Sequence, residues 1–205
     1  EDPGNKNYTT KNIPKVVKIA DDILEGYSFY FSFHKHKVGE FPHWFQNPFN
    51  KKIFSNNQFH WTKLKDFDNE SGDIKNIWEI SRFNCLGTLS CAYLLTDNIK
   101  YLKKVNNWVI DWVEKNPPNI GPNWKCGQEA SIRSINILLC QIIIGNEEIS
   151  KNLKTLLKIH IYRIYPTVLY AKAQNNNHGI SEAVALYSIG YFLWKNTKNL
   201  KFYYL

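Results

Sequence analysis

Between residues 74 and 195, apolar side chains recur every three or four positions, and the recurrence is cut by clusters of Pro, Gly and Asn. That period puts an apolar stripe along one side of each segment, the mark of helices packed on a common core. Tyr101, Val105, Trp108, Val109 and Trp112 form one stripe, opposite Lys103, Lys104, Asn107, Asp111 and Glu114. The cuts are equally regular. Asp73 is placed to cap a helix reaching residue 95, and Thr96-Asp97-Asn98 opens the next, which Asn116-Pro117-Pro118 stops. A loop with Gly121 and Pro122 leads into a helix over residues 127 to 144, ended by Gly145-Asn146. A further helix is expected to begin near Glu147 and break at Pro166, and the last follows His178 to Lys195. The predicted fold is mainly all-α, built of antiparallel helical hairpins.

Residues 1 to 73 read differently. The first eleven are polar and expected to fray, and residues 13 to 26 form an amphipathic helix closed by Gly26. After it, short aromatic runs such as Tyr27-Ser28-Phe29-Tyr30-Phe31 alternate with Gly39, Pro42, Pro48 and Asn pairs, a pattern of long loops with a few short strands. The expected division is a loop-rich segment 1–73 packed on a helical domain 74–205.

With 205 residues and 43% apolar side chains, the chain can bury roughly 70% of its unfolded surface. The net charge of +8 is dispersed, without the block of like charges that marks a nucleic-acid tail; on charge alone nucleic acid, an acidic polysaccharide and a membrane surface all qualify. Seven Trp and twelve Tyr serve either a core or a surface on which sugars stack. Cys85, Cys91, Cys126 and Cys140 have no C-x-x-C spacing, and buried thiols fit better than zinc or redox chemistry. His34 and His36 alternate as strand neighbours but lack an accompanying ligand set; the expectation is no metal and no cofactor. No apolar run reaches the length of a membrane span. Glu1 in first place, with no Met anywhere, implies a processed or partial chain, so its start does not fix the compartment; a periplasmic or secreted setting is preferred.

Two groups of polar residues stand where the pattern predicts burial. Glu129, Arg133, Asn136 and Cys140 lie on one side of the helix near residue 130, and Glu79 and Arg82 sit one turn apart. They are either internal ion pairs, with Glu129 and Arg133 expected to pair with each other, or one wall of a polar cleft. For the cleft, Trp124 offers a stacking ring and Gln128 an amide. The run Asn175-Asn176-Asn177-His178 precedes an apolar helix and is either a turn or a helix start able to grip a carboxylate. His178 and Glu182, four apart, share a helix face, so Glu182 is placed to orient the imidazole. Nucleophile-elbow, phosphate-loop and dinucleotide motifs are absent from the sequence.

Five pieces occur together in order: Trp78-Glu79-Ile80-Ser81-Arg82-Phe83-Asn84; Ala92-Tyr93-Leu94-Leu95-Thr96-Asp97; Trp108 and Trp112 followed by Asn116-Pro117-Pro118; Gly121-Pro122-Asn123-Trp124 with Glu129-Ala130-Ser131-Ile132-Arg133; and Asn176-Asn177-His178 with Glu182. In this order the chain resembles the amino-terminal helical domain of the heparinase II/III-like polysaccharide lyases. The resemblance covers residues 74 to 195 and implies an incomplete α/α toroid, followed in the family by a carboxyl-terminal β-sandwich domain. It implies β-elimination on a uronic-acid polymer such as a glycosaminoglycan, alginate or bacterial capsule, so the partner expected is an anionic polysaccharide, not nucleic acid. Donors on the carboxylate stabilise the enolate, a base removes the C5 proton and an acid protonates the leaving oxygen. By resemblance Asn177 neutralises the carboxylate and His178 assists it, while Trp124, Gln128, Glu129, Arg133 and Asn176 line the substrate. The family's Tyr acid/base lies further along than Tyr187 or Tyr191, and its second His belongs to the sandwich domain, so these residues are expected to bind more readily than they cleave. A non-catalytic module that binds acidic glycans or helps assemble a surface polysaccharide is the alternative. A glycosidase is less favoured, because few carboxyl groups stand at helix ends.

Overall fold

The computed structural model describes residues 13–145 and 148–202, so the polar amino end and the expected helix start at Glu147 lie outside the described residues. Helix α1 (Ile13–Leu24) is followed by Gly26, which has φ 86° and lies against the Gly39 carbonyl, where a Cβ would come within 2.6 Å. Only glycine fits there. The turn feeds an antiparallel hairpin of β1 (Tyr27–Tyr30) and β2 (His34–Lys37), with Tyr27 opposite Lys37. A second short pair, β3 (Phe67–Asp68) and β4 (Gly72–Asp73), closes a loop held by Asp68, which accepts from the Ser71 backbone N–H and both the Ser55 and Ser71 hydroxyls. Those donors hold the Asp68 carboxyl down at about 2 despite its burial.

The rest is helical. The helix expected over residues 73 to 95 is two, α2 (Lys75–Ser81) and α3 (Asn84–Thr96), because Phe83 turns left-handed at φ 62° and drives its ring into the core. Helix α4 (Lys100–Lys115) ends before the Pro pair, and α5 (Gly127–Ile143) before Gly145. Helix α6 (Lys151–Ile164) starts on Ser150, whose hydroxyl accepts from the Leu153 N–H. Pro166 converts its end to a single 3-10 turn before α7 (Val168–Ala173). The last helix, α8 (Asn177–Thr197), starts on the Asn run.

Helices α3, α5 and α8 pack side by side in that order. Helices α1 and α4 lie against α3, α6 lies against α5 and α8, and α7 against α8. An aromatic chain runs through the first core: Trp108 meets Trp44, Trp44 meets Phe83, Phe83 meets Trp112, and Trp112 meets Trp124, with centroids 5.5 to 6.1 Å apart. Trp108 and Trp112 point inward as the sequence predicted, both fully buried. Each such indole removes about 150 to 250 Å² from water, worth about 4 to 6 kcal/mol of transfer free energy. Their N–H groups are satisfied too, by the Glu40 carbonyl for Trp108 and the Ser81 hydroxyl for Trp112. A second core joins α5, α6 and α8 through Leu138, Leu157, Ile161, Leu186 and Ile189. Among the described residues no helix is long and apolar enough to cross a membrane.

Candidate functional site

The amino end of α8 is built by its asparagines. Asn175 takes φ 49°, a conformation that asparagine tolerates better than most residues, and so reverses the chain after α7. Asn176 is the cap: its Oδ1 accepts from the His178 N–H at 2.9 Å. That leaves its amide NH2, like the carboxamide of the exposed Asn177 next to it, without a hydrogen bond among the described residues. Ser181 ties the first turn by donating to the Asn177 and His178 carbonyls.

One turn in, the surroundings change. His178 is half-buried, and its Nδ1 lies 4.0 Å from Oε1 of Glu182. Glu182 itself is 2% exposed, and its Oε2 is buried without a partner among the described residues. The carboxyl lies over Gly127, the first residue of α5, where a Cβ would come within 2.5 Å of Oε1. Burial pushes the Glu182 carboxyl up to about 7, against the opposing pull of Arg163. Arg163, on α6, is held by the carbonyls of Trp124 and Lys125 at 2.6 Å each and stacks on Trp61 at 3.9 Å. The α8 start thus presents, in sequence, exposed carboxamides, a partly buried imidazole and a buried carboxyl whose protonated form burial favours. Helix-start N–H groups and amide donors suit a carboxylate ligand, with an imidazole and a carboxyl beneath them. Gln128, half-buried, follows Gly127 on the facing helix.

The remaining predicted site residues are drawn into the core. Glu129 and Arg133 are both buried but do not pair with each other. Glu129 accepts two hydrogen bonds from Arg82, at 2.6 and 2.8 Å, and the third donor position of that guanidinium reaches Glu79 at 2.6 Å. Glu79 also accepts from the Phe31 N–H. Two buried carboxylates therefore share one planar fork at the end of α2, a geometry that arginine alone supplies. Arg133 runs the other way. It donates to the carbonyls of Ser81 and Asn123 and to His160 Nε2, and lies over the Trp112 and Trp124 rings at 4.3 and 5.2 Å. Since arginine cannot accept, His160 Nε2 must, and its Nδ1–H goes to the Leu156 carbonyl at 2.8 Å. Burial first, and then Arg133, hold His160 down at about 3, so it is neutral.

Trp124 is 1% exposed, with Arg133 and His160 against its ring, so it has no free face for a sugar. The stacking role expected of it is corrected: it is a core residue. Asn136 and Cys140 complete the same inward stripe, Asn136 on the Arg82 carbonyl and Cys140 beside the Ser90 hydroxyl. His160 and Arg163 were not singled out from the sequence. His160 had a signal, since it falls in helical step with Leu157, Ile161 and Ile164, all buried. His34 and His36 do share a strand face, where both meet the Phe49 ring.

Compared with protein-family models, with curated proteins and with solved structures, the chain matches none.

Proposed function

We propose that this chain is the helical domain of a polysaccharide lyase that acts on a uronic-acid-containing anionic polysaccharide, with helices α3, α5 and α8 as part of an incomplete α/α toroid. The observation that carries the reading is the start of α8, where Asn176 and Asn177 stand exposed beside an imidazole backed by a buried carboxyl. In β-elimination the uronate carboxylate must be gripped while its α-carbon loses a proton, and the charge that develops there is what the donors stabilise. Asn177 and the free amide of Asn176 are the donors, His178 assists on the proton side, and Gln128 borders the site from α5. Dispersed positive charge on the chain raises the encounter rate with a polyanion.

Trp124, Glu129 and Arg133 take no part in this reading, because the core holds them. Their removal favours a second reading of the same surface, a non-catalytic module that binds acidic glycans, since fewer side chains remain to form subsites along the polymer. Both readings require carboxylate recognition, and only the first requires cleavage. The test compares an oligouronate with the same oligosaccharide after its carboxyl groups are reduced to alcohols. We expect the acid to bind at least about tenfold tighter, the size of one hydrogen bond to a charged group. Ultraviolet absorbance from an unsaturated product would select the lyase over the module. Equal affinity for the acid and its reduced counterpart would overturn both.

A further inference from the structure

Two buried side-chain oxygens lack a hydrogen-bond partner among the described residues, Asn123 Oδ1 and Glu182 Oε2, and only the second belongs to an ionisable group. A buried carboxyl with one oxygen unpartnered and the other no nearer than 4.0 Å to the imidazole costs the fold stability, so its position calls for a use. It faces few charges. On α8 its neighbour is His178, on α6 it is Arg163, ahead of α5 it is the Cys126 thiol, and on α7 the charged group is the exposed Lys172 behind Gly179. Arg163 is already spent on the Trp124 and Lys125 carbonyls and the Thr167 hydroxyl. Burial pushes Cys126 up as well, so it brings no negative charge near neutral pH. The group left to exchange a proton with Glu182 is the imidazole, 4.0 Å away.

We propose that Glu182 is a positioning residue that works through His178: it holds one proton in the ligand-free protein and passes it to His178 Nδ1 when a ligand carboxylate docks against the opposite ring nitrogen and Asn177. The ligand step rests on the carboxylate-binding reading above. The step starts from Glu182 as the neutral acid, the form that burial favours, and from the imidazole tautomer that carries its proton on Nε2 and leaves Nδ1 free to accept. Closing roughly 1 Å of the gap brings Oε1 and Nδ1 within hydrogen-bond reach. The proton crosses, leaving Glu182 ionised and His178 an imidazolium whose Nε2–H donates to the ligand carboxylate. No proton is exchanged with solvent and the total charge is unchanged. Burial supports this, since it holds the carboxyl proton up to about 7, close to where a histidine accepts one. The glycine at position 127 is what lets the carboxyl lie this close to α5.

Two measurements decide it. In the ligand-free protein, the His178 ring nitrogens followed by NMR from pH 5 to 9 should show two coupled steps in the wild type and one in Glu182→Gln. Superimposable curves would overturn the pairing. In calorimetry with an oligouronate at pH 7, in buffers of different ionisation enthalpy, the wild type should take up clearly less proton than Glu182→Gln, because Glu182, at about 7, supplies part of it from within. Glu182→Gln should draw one from the buffer and bind roughly tenfold weaker, having lost both proton source and counter-charge. An unchanged proton count would overturn the transfer, which a purely structural role for Glu182 would leave unmoved. No binding at all by the wild type would overturn the transfer together with the carboxylate reading, while the NMR result stands separately for the pairing.

Discussion

A residue that raises the energy of the fold around it can be identified by how stability changes with pH, and Glu182 is such a residue. Its folded value of about 7 lies above the unfolded 4.5, so between these limits the unfolded chain ionises first and stability falls as pH rises. At about 1.4 kcal/mol per unit the loss reaches at most about 3 kcal/mol. We therefore expect Glu182→Gln to be the more stable protein in urea at pH 8 and equal to the wild type near pH 4; a wild type more stable at pH 8 would contradict this. The spacing of His178 and Glu182 was legible in the sequence, because residues four apart on a helix must share a face. The partner of Glu129 was not legible. Spacing places Glu129 and Arg133 on one face, but Arg82, 47 residues away, supplies the better-aligned donors. Trp124 was misread for a related reason: the turn at Pro122–Trp124 folds its ring inward, and no local pattern announces that direction.

The same reasoning gives two tests on whole helices. Gly127 opens α5 without a left-handed φ, so an alanine there meets no backbone strain and its helix propensity alone would favour it. Here the added Cβ meets the Glu182 carboxyl, and we expect Gly127→Ala to destabilise the protein, with the penalty shrinking in a Glu182→Ala background. Additive effects in a double-mutant cycle would show that the contact does not matter. At the junction of α2 and α3, Arg82→Met strips two buried carboxylates of their shared cation and should cost about 3 to 5 kcal/mol by urea denaturation. A loss below about 1 kcal/mol would mean that the fork is dispensable. Helix ends set by Pro, Gly and Asn were readable from sequence. The break at Phe83 was not, because a left-handed phenylalanine is imposed by burial of its ring and carries no local signature.

For the molecule as a whole, the sequence conveyed a helical chain but not the order in which α3, α5 and α8 lie side by side, since contacts between distant helices leave no short-range pattern. The high aromatic content likewise left open how much was core and how much was surface. In the structure Trp44, Trp78, Trp108, Trp112 and Trp124 are buried together with Tyr30 and Tyr101, while Tyr162, Tyr187 and Tyr191 remain largely exposed. His160 ties acid stability to that core. Its folded value near 3 lies below the unfolded 6.5, so stability that is present above 6.5 is lost as pH falls toward 3. In the Glu182→Gln background, where the opposing slope is gone, we expect stability to decline steadily from pH 6.5 to 4 in thermal melts, and a flat profile would contradict the neutral, buried His160. The reading of the α8 start as a carboxylate grip is tested most directly by calorimetric titration of an oligouronate into the wild type and Asn177→Ala, with helicity checked by circular dichroism. We expect the variant to stay folded and to bind about ten- to hundredfold more weakly; a folded Asn177→Ala with unchanged affinity would leave the Asn run as a turn and nothing more.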